Sequence, residues 1–170
     1  EQERVRLRDS ILTNISGAKI AEKTLLISRL EAKNDGKTDC RAAFAKAIRK
    51  ASAMKGAKIV VPAGTYYIKG PIVLASNVCI ELQKGATLKF APEEKYYPVV
   101  STSREGTLLY NYSPFIYGYG CHDVAIIGEG TIDGNAMTTF AQWRPKQKLD
   151  KDLSRKMNHE EVALKERQFG

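Results

Sequence analysis

Three carboxylates, Asp123, Glu129 and Asp133, fall close together in the run GCHDVAIIGEGTIDG, and a pair of carboxylates is what general acid and base chemistry needs. Their surroundings point elsewhere. Asp123 opens the apolar run VAII, Glu129 lies between two glycines, and Asp133-Gly134 is a turn dipeptide, so turn roles are expected and no catalytic residue is assigned. Trp143-Arg144 offers a different chemistry: a flat indole can stack on a sugar ring while a guanidinium grips a carboxylate through two hydrogen bonds. Packing of Trp143 beneath a loop is the equal alternative. Metal chemistry has little to work with. Cys40, Cys79 and Cys121 include no CxxC, His122 and His159 are the only histidines, and no calcium-type carboxylate cluster with a proton-abstracting base assembles. No metal and no cofactor are expected, nor is a disulfide framework.

The elements that must position these residues read as short β-rich runs cut by Gly, Pro and Asn. From Lys58 onward the strands expected are Ile59–Val61, Thr65–Ile68, Ile72–Leu74, Val78–Leu82 and Thr87–Phe90, with Pro62-Ala63-Gly64, Gly70-Pro71 and Lys84-Gly85 at the corners. No helix separates them. The run from Asp123 to Ile132 repeats the shape of Asn77 to Leu88 at an offset of 46 residues, which suits two coils of a parallel β-helix. One coil cannot bury its own inner face, so any function requires neighbouring coils.

Upstream, Phe44, Ala47, Ile48 and Ala51 form one apolar stripe, which predicts a helix from an N-cap at Asp39 to about Met54 that closes the end of the solenoid. Before it come a short helix within Glu3–Ile15, a strand over Thr24–Ser28 and a break at Asn34-Asp35-Gly36. Ala91–Pro114 reads as a long loop leaving the solenoid. Tyr110, Tyr112, Tyr117 and Tyr119 are expected to pack against the coils. Gln147–Arg167 is densely charged, and Leu149, Leu153 and Met157 at spacing four permit a helix there, with solvated loop as the alternative. The domain reading is an extension over 1–23, a cap and first coils over 24–143, and a charged loop or tail over 144–170.

At 170 residues with 43% hydrophobic and 27% charged residues, the chain has the composition of one folded, soluble domain. The net charge of +8 is unevenly spread: residues 61–140 carry 5 basic and 7 acidic groups, so the excess lies on the cap helix and the tail. Interleaved Lys, Glu and Asp there describe a solvated face, and without a basic-aromatic stripe no nucleic-acid partner is expected. No apolar run is long enough to cross a membrane. Glu1 in place of Met, with no secretory apolar region after it, fits a mature or trimmed polypeptide. Asn14-Ile15-Ser16 and Asn111-Tyr112-Ser113 match the glycosylation sequon.

The motifs together resemble glycoside hydrolase family 28, the polygalacturonases and related pectin hydrolases. Those that carry the resemblance are NDGKTD at Asn34–Asp39, VVPAGTY at Val60–Tyr66, SNV at Ser76–Val78 and GATL at Gly85–Leu88. REG at Arg104–Gly106, NYSPFIY at Asn111–Tyr117 and GEGTIDG at Gly128–Gly134 complete the set. The resemblance covers about residues 24 to 143. It implies an all-β, right-handed parallel β-helix of the pectin-lyase-like kind, with an N-terminal capping α-helix. It also implies hydrolysis of α-linked galacturonic acid chains with inversion, by clustered aspartates on later coils. The family's N-x-D, Asp-Asp, G-H-G and R-I-K motifs do not occur in this sequence, so the chain is expected to be an N-terminal portion, inactive alone. Arg104 and Glu105 are expected in a wall of the substrate cleft. With Trp143 and Arg144 they make the substrate-binding set.

The partners expected are a pectic polysaccharide or oligogalacturonide and a companion chain carrying the remaining coils, in a secreted or periplasmic setting. A non-catalytic carbohydrate-binding or adhesive β-helix is the alternative.

Overall fold

A computed structural model describes residues 1–170, apart from the side chain of Thr138. The chain winds as a right-handed parallel β-helix under a helical cap, as the motifs imply. Strands β1 (Thr24–Leu26), β2 (Asp35–Asp39), β3 (Ala57–Val61), β4 (Gly64–Ile68) and β5 (Ile72–Val73) form the upper turns. Below them come β6 (Val78–Leu82) and β7 (Ala86–Phe90), an antiparallel hairpin of β8 (Val99–Arg104) and β9 (Thr107–Tyr112), then β10 (Ile116–Tyr117), β11 (Ala125–Gly128) and β12 (Thr131–Asp133). Three parallel sheets result: β1-β3-β6-β11, β2-β4-β7-β12 and β5-β10.

Ala57 pairs with Val78 and Gly64 with Ala86, so one coil takes 21 or 22 residues. The 46-residue offset, seen directly in Cys79 opposite Ala125, is therefore a single coil lengthened by the hairpin. Strand alternation explains the core: Ala57, Ile59 and Val61 point inward on β3, and Val78, Ile80 and Leu82 lie directly below them. Cys79 points outward by the same alternation, yet it is 2% exposed and its thiol is shifted up, first by burial. All three cysteines are free.

Helix α1 (Gln2–Thr13) precedes the solenoid, and α2 (Arg41–Ala53) caps it. The cap buries Ala43, Phe44, Ala47, Ile48 and Ala51, the stripe read from spacing plus one alanine, with Phe44 edge-on to Tyr66 at 6.4 Å. Three local readings are corrected. The first strand stops at Leu26, because Ile27 and Leu30, three apart, both turn inward on a 3-10 turn beneath α2. Asn34-Asp35-Gly36 does not break the sheet; β2 runs through it with a register irregularity. The Asp35 carboxylate folds back there to accept the Lys37 N–H, the Thr38 N–H and the Thr38 hydroxyl at 2.8, 2.8 and 2.6 Å. Asp39 belongs to β2, and its carboxylate receives the backbone N–H of Arg41 and of Lys69, tying the cap to the strand below.

The segment read as a loop over 91–114 holds the β8–β9 hairpin. Its turn is Glu105-Gly106, both at positive φ (49° and 83°), the backbone a two-residue hairpin loop demands. Downstream, Lys148–His159 is a helix, α3, packed on β9, with Ser154 buried and Leu149 exposed. The chain end then runs parallel to β9: Tyr110 N–H donates to the Arg167 carbonyl and Phe169 N–H to the Tyr110 carbonyl, each at 2.8 Å.

Candidate substrate-binding site

Asp123 and Glu129 of the last coil are kept apart by the strand between them. Asp123 precedes β11, Glu129 follows it, and Asp133 ends β12. The four residues of β11 alone span about 13 Å, wider than the roughly 6.5–9.5 Å that suits an inverting acid and base. Asp123 and Asp133 are also occupied. Asp123 sits at φ 51°, accepts the Lys19 N–H at 2.8 Å and meets His122 Nδ1 at 2.9 Å, which hold its carboxyl below the usual range, the Lys19 bond foremost. Asp133 accepts the Asn135 N–H at 2.8 Å, a turn bond, and Glu129 is solvent-facing at a corner.

The polar and aromatic candidates converge better. A run of ring contacts leads out of the core: Phe90 stacks on Phe115 at 4.9 Å, Phe115 meets Phe140 at 5.9 Å, Phe140 meets Trp143 at 5.0 Å, and Trp143 meets Tyr112 at 5.6 Å. Trp143 is thus held by packing through Phe140 and Tyr112. It remains half-buried, and its free surface borders two cavities of about 310 and 300 Å³. The first, lined by Tyr97, Phe115 and Phe140, is overwhelmingly apolar and lies along the aromatic run.

The second is mixed: Arg104, Asn111, Tyr112, Trp143, Gln147 and Asp150 line it. Here Arg104 and Trp143 meet. Arg104 Nη2 donates to Gln147 Oε1 at 3.2 Å, which aims the guanidinium from the end of β8 toward the start of α3. An indole face, a guanidinium and two amides in one cleft can take a hydroxylated ring bearing a carboxylate, although the Asp150 carboxylate weakens the local positive field. Glu105 is turned away from this cleft and pairs with Arg155 of α3 at 3.2 Å. Arg144 is exposed and does not line the cleft. Gln147 and Asn111 escape a sequence reading: Asn111 stands in NYSPFIY, whereas nothing in the charged run marks Gln147. Of the tyrosines, Tyr117 staples β10 to the hairpin through a 2.9 Å bond to the Ser101 carbonyl, while Tyr119 is exposed and packs on little.

Fold and motifs together define a pectate-lyase-like right-handed parallel β-helix. A family model described as "Rhamnogalacturonase A/epimerase, pectate lyase-like" matches residues 27–99. A relative from Emericella nidulans named "Probable exopolygalacturonase B" is 28% identical over 117 residues, 67% of this chain and 25% of the relative. A hyperthermoactive exopolygalacturonase from Thermotoga maritima superposes with a TM-score of 0.90 at 33% identity, over 97% of this chain and 39% of that one. A family 28 exopolygalacturonase from Yersinia enterocolitica gives 0.57 at 28% identity, over 71% of this chain and 22% of that one.

The resemblance to glycoside hydrolase family 28 read from the motifs therefore holds in sequence and in fold. The chain spans about a fifth to two-fifths of these exopolygalacturonases. Among the described residues, no helix is long and apolar enough to cross a membrane.

Proposed function

We propose that this chain is the N-terminal part of a secreted pectin hydrolase that cleaves α-linked galacturonic acid chains with inversion. Its catalytic carboxylates lie on coils stacked upon β11 and β12. Those coils continue the same polypeptide or belong to a companion chain. The observation that carries this reading is the uncovered core at β11 and β12 in a β-helix whose relatives are longer exopolygalacturonases.

In this reading the chain supplies scaffold and wall. The cap and first coils fix the stacking direction, and the hairpin with α3 holds Arg104 and Trp143 over the cleft. The sugar stacks on Trp143 while Arg104 pairs with a uronate carboxylate. Glu105 acts one step back, fixing the hairpin tip on α3 through Arg155. Binding at the wall orients the glycosidic bond; the proton to the leaving oxygen and the activation of water come from the further coils.

The test is hydrolysis of polygalacturonate by the protein with those coils in place, following reducing ends and the anomer first released. Release of the inverted sugar, abolished by Asp→Asn substitutions on the later coils, is expected. No hydrolysis by the complete protein, or full activity in the 170-residue chain alone, overturns the proposal.

A further inference from the structure

Residues 19–23 form a strap that passes successive corners of the coils. Lys23 accepts the Lys58 N–H through its carbonyl and reaches the Met54 carbonyl through Nζ, at the corner before β3. Two residues back, Ala21 lies against Gly56, beside Asn77 at the corner before β6. Two further back, the Lys19 N–H donates to Asp123, at the corner before β11. From Lys23 to Lys19 the chain thus descends the stack corner by corner, about one coil spacing of ~4.8 Å at each step. It reaches the last coil still heading outward.

Beyond Lys19, the residues back to Thr13 can span up to about 20 Å, roughly four further coil spacings. There stands α1, with none of its residues buried. Leu7 and Ile11, 62% and 52% exposed, stand one turn apart on one face, and Leu12 and Val5 flank them. A helix of about 12 residues is marginal in water and takes most of its stability from tertiary packing. None of the principal element pairings of the fold involves this one.

We infer that α1 is a clasp for the coils stacked on β11: the strap carries it past the open end, and its exposed Leu7-Ile11 face docks on the outer wall of those coils. The occupant is a parallel β-helix wall and not a second copy of α1, because the strap is anchored at successive corners that all point along the stacking axis. The Thermotoga maritima chain supplies the scale: about three-fifths of it lies outside the region this chain matches. The inference rests on the proposed stacking of further coils, and its test is separable from catalysis.

Hydrogen exchange on the protein with those coils in place reads the α1 amides directly. Protection of α1 comparable to that of β11 is expected. Ile11→Asp should speed α1 exchange at least about tenfold, the equivalent of ~1.4 kcal/mol, whereas Arg6→Asp, off that face, should leave it unchanged. Free exchange of α1 in the unsubstituted protein, equal effects of the two substitutions, or a source protein with no further coils overturns the inference. Protected α1 in a protein that leaves polygalacturonate intact sustains the clasp and rejects the hydrolase; hydrolysis with α1 unprotected does the reverse.

Discussion

Ile80 and Ile126 occupy the same register position in successive coils, yet Ile80 has no exposed surface and Ile126 is 37% exposed. Leu88 and Ile132 differ in the same way, 0% against 46%. Apolar character and strand geometry are shared within each pair. What differs is whether another coil lies beneath, so in this molecule burial is a property of position in the stack.

The strongest way to break that comparison is truncation of the paired side chains. Ile80→Ala should cost about 2–5 kcal/mol in urea unfolding, whereas Ile126→Ala, which leaves no closed cavity in this chain, should cost under about 1.5 kcal/mol. Equal costs would mean that the last coil is already covered. With further coils present, the Ile126→Ala cost should rise toward that of Ile80→Ala.

A backbone version contrasts two glycines at positive φ. A Cβ on Gly128 would collide with the Leu82 carbonyl, whereas one on Gly106, in the hairpin turn, meets nothing within 4 Å. Gly128→Ala should therefore destabilise by more than the ~1–3 kcal/mol that strained backbone costs on its own, and Gly106→Ala by no more than that.

Smaller effects separate the cleft from the core. In the complete protein, Trp143→Ala should weaken binding of an oligogalacturonide by about 0.5–1.5 kcal/mol, measured by titration calorimetry, while the exposed Tyr119→Ala should leave it unchanged. The smallest effect concerns the capped end. The Asp35 carboxyl is held down at about 2 from an ordinary 3.8, first by the Thr38 hydroxyl and then by the Thr38 and Lys37 N–H groups. A depressed value means that the ionised form favours the fold, so this contribution is present above about pH 4 and is lost as pH falls toward 2. Asp35→Asn should flatten stability against pH in that window and lower stability at neutral pH, where the ionised carboxylate contributes, as followed by urea unfolding across pH.

The cap and the parallel strands were legible because their signals are local. The Phe44-Ala47-Ile48-Ala51 stripe needs one helical face, and Ile59, Val61, Ile80 and Leu82 need only alternation. The β8–β9 hairpin was hidden because its turn uses Glu105-Gly106 in place of the usual Asn-Gly, and few of its side chains are fully buried, which mutes the apolar alternation. In the cleft, Trp143 and Arg104 stood out by chemistry or motif. Gln147 did not, since its role depends on where α3 meets β8, 43 residues away in sequence. The strap was invisible for the same reason: Lys19 and Asp123 are 104 residues apart.

The hairpin also leaves the winding of the solenoid untouched. The chain departs after Ala91, whose N–H still bonds the Ile68 carbonyl, and returns at Phe115, whose carbonyl accepts the Ile72 N–H, so both edges of the excursion keep coil geometry. That corner is a port: sequence of almost any length can be inserted, exchanged or removed there while the strands above and below keep their register. Variation in what such a protein grips can accumulate at this one place, and an engineered binding loop has a ready seat.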